Sequence, residues 1–139
     1  MKQIFEVGNL KSNGHYALAT IHGDTVYVSG QFAVDPETRE KKFGPIEEET
    51  LQALRNVEAI VEAVGSSKEQ IVRMNLYIPD VKLWDRVDGV YKEFFGGHKP
   101  TRTVYNEILF IINTKFIENW YNDMCNYFIS NKIMLFIFS

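Results

Sequence analysis

Residues 51–79, LQALRNVEAIVEAVGSSKEQIVRMNLYIP, hold a helix, its stop and a strand in immediate succession. Leu51, Leu54, Val57, Ile60, Val61 and Val64 recur at three- and four-residue steps, so one stripe of a helix is apolar and must be buried. Glu47, Glu48 and Glu49 lie in its first turn, where carboxylates favour the positive end of the helix dipole. Gly65 stands where a C-terminal cap belongs. Val72, Met74, Leu76 and Ile78 then alternate with Arg73, Asn75 and Tyr77, the period of a strand with one buried face, and Pro79 ends it.

Upstream, Tyr16 to Ile21 and Thr25 to Ser29 flank His22-Gly23-Asp24 and read as a hairpin, with Gly23 free to take the positive φ of the turn. A loop marked by Asp35-Pro36 and Gly44-Pro45 leads into the helix. Downstream, Asp80 is placed to cap a second helix carrying Leu83, Trp84, Val87, Val90, Tyr91, Phe94 and Phe95 at helical spacing, stopped by Gly96-Gly97. Thr101 to Ile112, rich in Thr, Val, Ile, Tyr and Phe, reads as another strand. The order hairpin, helix, strand, helix, strand predicts an α/β domain with one sheet and two helices packed on one face. The bare face needs cover, so self-association is expected.

The 139 residues suit a single domain spanning 1–139 with one hydrophobic core. With 45% hydrophobic and 24% charged residues the chain is far from a disordered composition. A net charge of −3 and the lack of clustered Lys and Arg weigh against a nucleic-acid partner. The lone Cys125 allows no internal disulfide, which fits a reducing cytoplasm. Glu6 interrupts the opening before any apolar run develops, so no signal peptide is expected; Ile133 to Phe138, the longest apolar run, is too short to span a bilayer.

Composition breaks after Val104. From Tyr105 to Ser139 there is no Gly, Ala, Val or Pro, and Asn, Ile, Phe, Lys and Tyr dominate, residues that AT-rich codons specify. A shifted reading frame, an artefact and a divergent ending would each produce this segment, 105–139. Phe110, Ile111, Ile112, Phe116, Ile117, Trp120, Tyr121 and Phe128 could supply a strand and an aromatic helix that pack on the core. Ile133 to Phe138 would promote aggregation if left exposed, so packing against the body is the default expectation.

Several chemistries are set aside. His15, His22 and His98 are far apart and share no metal-site spacing with a cysteine or carboxylate. No phosphate-binding glycine loop is present, and Ser29-Gly30 lacks the surroundings of a nucleophile elbow.

Gly14-His15-Tyr16, Val28-Ser29-Gly30-Gln31, Asn56-Val57, Val87-Asp88-Gly89-Val90-Tyr91 with Phe94-Phe95, and Lys99-Pro100-Thr101-Arg102-Thr103-Val104 follow one another along the chain. In these landmarks, over about residues 1–104, the sequence resembles the RidA/YjgF family, also known as the endoribonuclease L-PSP family. The resemblance implies a chorismate-mutase-like α/β sheet assembled as a homotrimer with ligand clefts between subunits. It implies hydrolysis of reactive enamines and imines (2-aminoacrylate, 2-iminopropanoate, 2-iminobutanoate) to 2-oxo acids and ammonia, without a cofactor. Two other readings accompany it: a non-catalytic member that binds small carboxylates or 2-oxo acids, and an endoribonuclease, which the acidic charge argues against.

The same resemblance supplies the candidate residues. Arg102 matches the family's carboxylate-binding arginine, and a guanidinium fork suits that role because it can donate two parallel hydrogen bonds. Tyr16 and Ser29 match residues of the cleft, and Gly30 would let the backbone come close to a ligand or neighbour; a sheet aromatic, a strand-end serine and a bulge glycine are the alternatives. Asp88 stands where the family often has asparagine. It is carried as a substrate contact, although an ordinary solvated helix carboxylate is the stronger reading. The family's water-positioning glutamate falls at Ile117 by spacing, so Glu118 is the catalytic candidate, on the wrong strand face unless a bulge intervenes. Glu107 lies too close to Arg102 to match.

Overall fold

A computed structural model of the chain describes residues 1–41, 44–106 and 134–138. The described elements are β1 (Lys2–Ile4), β2 (Glu6–Val7), β3 (Leu10–Lys11), β4 (Ala19–His22), β5 (Thr25–Gln31), α1 (Ile46–Ala63), β6 (Arg73–Ile78), α2 (Trp84–Phe95), β7 (Thr101–Asn106) and β8 (Met134–Phe138), with short 3-10 turns at Lys68–Gln70 and Val81–Leu83. Six strands form one sheet in the order β1-β4-β5-β8-β6-β7, and β2 and β3 pair separately. Only β6 and β7 run parallel as neighbours; β8 is antiparallel to both β5 and β6.

Helix α1 forms for the reasons legible in its sequence. Its first turn carries Glu47, Glu48 and Glu49 at the positive end of the dipole. Its end closes as a Schellman motif: Ser66 N–H donates to the Val61 carbonyl and Gly65 N–H to that of Glu62, with Gly65 at φ 85°. The buried stripe Leu54, Val57, Ile60 and Val61 joins one core cluster with Val26 and Val28 of β5, Met74, Leu76 and Ile78 of β6, and Val87, Tyr91 and Phe95 of α2. Both helices therefore cover the same sheet face. Tyr27 and Tyr105, on the opposite face, are exposed.

The structure corrects several expectations at the edges of elements. The first hairpin strand begins at Ala19, not Tyr16, because Leu18 N–H is taken by the Ile4 carbonyl as β1 arrives alongside. Val72 lies outside β6 and is exposed; its carbonyl instead accepts from the N–H and hydroxyl of Thr101 at the start of β7. Asn75, expected on a solvated face, is buried, since β6 is an interior strand with β7 on one side and β8 on the other. Asp80 does cap, accepting from Lys82 N–H at 2.9 Å, but it caps the 3-10 turn that leads into α2. The predicted strand over 101–112 is seen as β7 to Asn106; its remainder, and the strand and aromatic helix anticipated between Phe110 and Phe128, lie outside the described residues.

One buried side chain ties α1 to the end of β5. The Asn56 amide donates to the Phe32 carbonyl at 2.9 Å and the Val34 carbonyl at 2.8 Å, while its own oxygen accepts from Gln52 at 2.9 Å. An amide that satisfies two carbonyls at once fixes the course of the chain leaving Ser29-Gly30-Gln31. Asn56→Ala leaves those acceptors short of a donor, and we expect a loss of about 2 kcal/mol in chemical denaturation. Asn56→Asp replaces the donor with an acceptor facing two carbonyls and should cost at least as much.

Candidate functional site

Strand β7 runs along one edge of the main sheet, parallel to β6, with Met74 opposite Arg102 and Leu76 opposite Val104. Residues paired in this register share a face, so Arg102 and Val104 project to the side where α2 lies. On α2, Trp84, Asp88 and Tyr91 are spaced four and three residues apart and stand one above another along a single helical stripe. That stripe meets Arg102. The guanidinium carbon lies 4.5 Å from the centre of the Trp84 ring and 4.9 Å from that of Tyr91. Nη1 of Arg102 donates to Oδ1 of Asp88 at 2.7 Å.

Asp88 is thus no solvated helix carboxylate. Its side chain is only 13% exposed, and its second oxygen, Oδ2, is 2.6 Å from Nζ of Lys92, one helical turn further on. The Lys92 hydrogen bond, with that of Arg102 behind it, holds the Asp88 carboxyl below its ordinary value, against the opposing effect of burial. The Arg102 side chain is 31% exposed and makes no other hydrogen bond among the described residues, which leaves the rest of its fork uncommitted among them. Two aromatic rings and one carboxylate fix where that fork points. Such stacking is worth about 0.5–2 kcal/mol depending on how dry the contact is. Among the described residues the buried Tyr91 hydroxyl has no hydrogen-bond partner, and burial pushes it up to about 12.

The other candidates sit elsewhere in the chain. The Tyr16 hydroxyl donates to Asn13 Oδ1 at 2.9 Å, and the Tyr16 carbonyl accepts from Ser12, so residues 12–16 form a self-bonded loop. A Cβ at Gly14 would stand 3.1 Å from the Tyr16 ring, which would have to shift by a few tenths of an ångström. Ser29 donates its hydroxyl proton to the Ala17 carbonyl at 2.6 Å, leaving the oxygen lone pairs as acceptors. Gly30 lies where the β5–β8 register shifts, between Val28 and Gln31. Three strand spacings separate β5 from β7 in the sheet order, roughly 14 Å. One chain therefore brings Arg102 and Asp88 together and leaves Tyr16, Ser29 and Gly30 apart from them. Glu107 and Glu118 lie outside the described residues.

Sequence reasoning missed Trp84, Tyr91 and Lys92 as parts of this site. The first two were absorbed into the apolar stripe of α2. The usable signal was the spacing Trp84, Asp88, Tyr91, with Lys92 four residues after the aspartate. Among the described residues, no three His, Cys, Asp or Glu side chains stand together as metal ligands, and no helix is long and apolar enough to cross a membrane.

A family model, Endoribonuclease L-PSP, matches residues 8–108. A RutC family protein of Pyrococcus horikoshii is 35% identical over 103 residues, covering 73% of this chain and 82% of the relative. A 2-iminobutanoate/2-iminopropanoate deaminase of Dermatophagoides farinae is 38% identical over 90 residues, 65% of this chain and 70% of that protein. Among solved structures, Escherichia coli TdcF with bound serine superposes with a TM-score of 0.78 at 26% identity, covering 99% of this chain and 98% of that one.

The lowered titration of Asp88 carries a sign that can be checked. A carboxyl that ionises more readily folded than unfolded stabilises the fold above its ordinary value of 3.8, and that contribution is lost as pH falls through the lower, folded value. Asp88→Asn removes the titration. Its melting temperature should fall below wild type at pH 7, and the gap should narrow as pH drops below 3.8. A gap independent of pH would show that the Asp88 ion pairs contribute nothing.

Proposed function

The chain belongs to the endoribonuclease L-PSP family, and on that premise we propose that it hydrolyses reactive 2-imino acids, and the enamines in equilibrium with them, to 2-oxo acids and ammonia. The observation that carries the proposal is the presentation of Arg102. Its guanidinium lies over the Trp84 and Tyr91 rings, held at Nη1 by Asp88 and otherwise uncommitted among the described residues. A planar fork fixed in this way suits a small carboxylate, which it can grip with two charge-assisted hydrogen bonds. The relatives named as 2-iminobutanoate/2-iminopropanoate deaminases support the same substrate class.

Anchoring the carboxylate fixes the adjacent C=N carbon, and the reaction then needs an oriented water more than an activated one. Water oxygen bonds to the imine carbon, the C–N bond breaks, and nitrogen leaves as ammonia while the carbon becomes a ketone. Glu118 is the proposed carboxylate for positioning that water, and Asp88 serves the substrate through Arg102. No cofactor enters this scheme.

The cleft is proposed to lie between copies of the chain in a homotrimer. Arg102 and Asp88 stand on one edge of the sheet, whereas Tyr16, Ser29 and Gly30 belong to the opposite half, too distant to share one small ligand within a chain. A neighbouring copy can supply the missing half, and assembly through the sheet face that carries Tyr27 and Tyr105 would also cover aromatic surface.

The test is release of ammonia and 2-oxo acid from freshly generated 2-aminoacrylate. Wild type should accelerate it, Arg102→Ala should lose about 100-fold or more in kcat/KM, and Arg102→Lys should fall between, since it keeps the charge and loses the fork. A folded wild type that gives no acceleration contradicts the proposal and leaves carboxylate binding as the better account.

A further inference from the structure

An aspartate beside a carboxylate-binding arginine poses an electrostatic problem. Asp88 is buried and 2.7 Å from Arg102, so its charge cancels that of the guanidinium in the place where an anion is to bind. The pair alone is neutral. Lys92 changes this: its ammonium lies 2.6 Å from Oδ2, the oxygen that Arg102 does not use, and its side chain is 75% exposed. Two cations share one anion, and the cluster keeps one net positive charge.

Resting on the functional reading above, we infer that Lys92 is a selectivity-determining residue, which neutralises Asp88 so that the Arg102 site prefers a small monoanionic acid over an uncharged analogue of the same shape. Geometry divides the labour. Asp88 Oδ1 pins Nη1, and the Trp84 and Tyr91 ring centres lie 4.5 and 4.9 Å from the guanidinium carbon, which leaves the remaining N–H edge of the fork for a ligand. Lys92 supplies no contact that this edge requires. Its contribution is the charge balance, together with a competing partner that keeps Asp88 from spending both oxygens on Arg102. A lysine on a solvated helix face that merely formed an i,i+4 pair would stabilise α2 slightly and leave ligand discrimination unchanged.

The experiment measures competitive inhibition or calorimetric binding of 2-oxobutanoate and of its neutral amide, 2-oxobutanamide, by wild type, Lys92→Gln, Lys92→Arg and Asp88→Asn/Lys92→Gln. Lys92→Gln should weaken the acid about three- to tenfold and leave the amide unchanged, so that selectivity for the anion falls by that factor. Lys92→Arg should retain wild-type selectivity. The double variant regains one net positive charge, so it should bind the acid more tightly than Lys92→Gln does. Equal weakening of acid and amide, or no change in either, overturns the assignment of Lys92 while leaving the site intact. A wild type that neither binds the acid nor turns over 2-aminoacrylate overturns the reading of the site itself.

Discussion

Strands β5 and β6 run in the same direction with one strand's width between them, and the sheet is continuous because the backbone of 134–138 fills that gap. Val28 is paired with Ile137 on one side and Met74 with Ile137 on the other, so a single residue of β8 bridges the two halves of the sheet. Without a strand there, two interior ladders would present unpaired N–H and C=O groups, a costly state for buried backbone. The helices depend on this as well. Helix α1 packs on β5 and α2 follows β6, and they meet over one core only if those strands are locked at a fixed separation.

The candidate site inherits its precision from that arrangement. Parallel pairing of β6 and β7 sets Arg102 opposite Met74, which turns it toward α2, and the helical stripe of Trp84, Asp88 and Tyr91 then closes round it. Each contact is modest, but together they restrict a long side chain that would otherwise sample many rotamers. The sheet that presents Arg102 on one edge also carries Tyr16, Ser29 and Gly30 far from it. This separation within one chain is what the proposed intersubunit cleft would bridge.

Much of this was legible in the sequence where the determinants are local. The stripe of α1, Gly65 as its stop, the turn at Gly23 and the end of β6 at Pro79 all depend on residues within a few positions of one another. What escaped depends on distant chain segments. Val72 and Asn75 exchanged their expected environments because of β7 and β8, and the N-terminal strand β1 is too short to show a period. Arg102 stands out as a candidate through the block Pro100-Thr101-Arg102-Thr103-Val104, whereas Asp88 reads in sequence as a solvated carboxylate. Its burial follows from β7 lying beside α2, which no helical pattern encodes. Lys92 was not singled out, because its link to the site exists only through Asp88.

The central claim is that the functional unit joins the Arg102 edge of one chain to the Tyr16 and Ser29 region of another. Its most direct test is subunit mixing. Arg102→Ala and Tyr16→Ala chains, each impaired alone, are unfolded together, refolded and assayed with 2-aminoacrylate. Random assembly of a ring places an intact Arg102 edge against an intact Tyr16 half in about one quarter of the clefts, so the mixture should recover about that share of wild-type activity. A mixture no more active than the average of the two variants would contradict a cleft shared between chains.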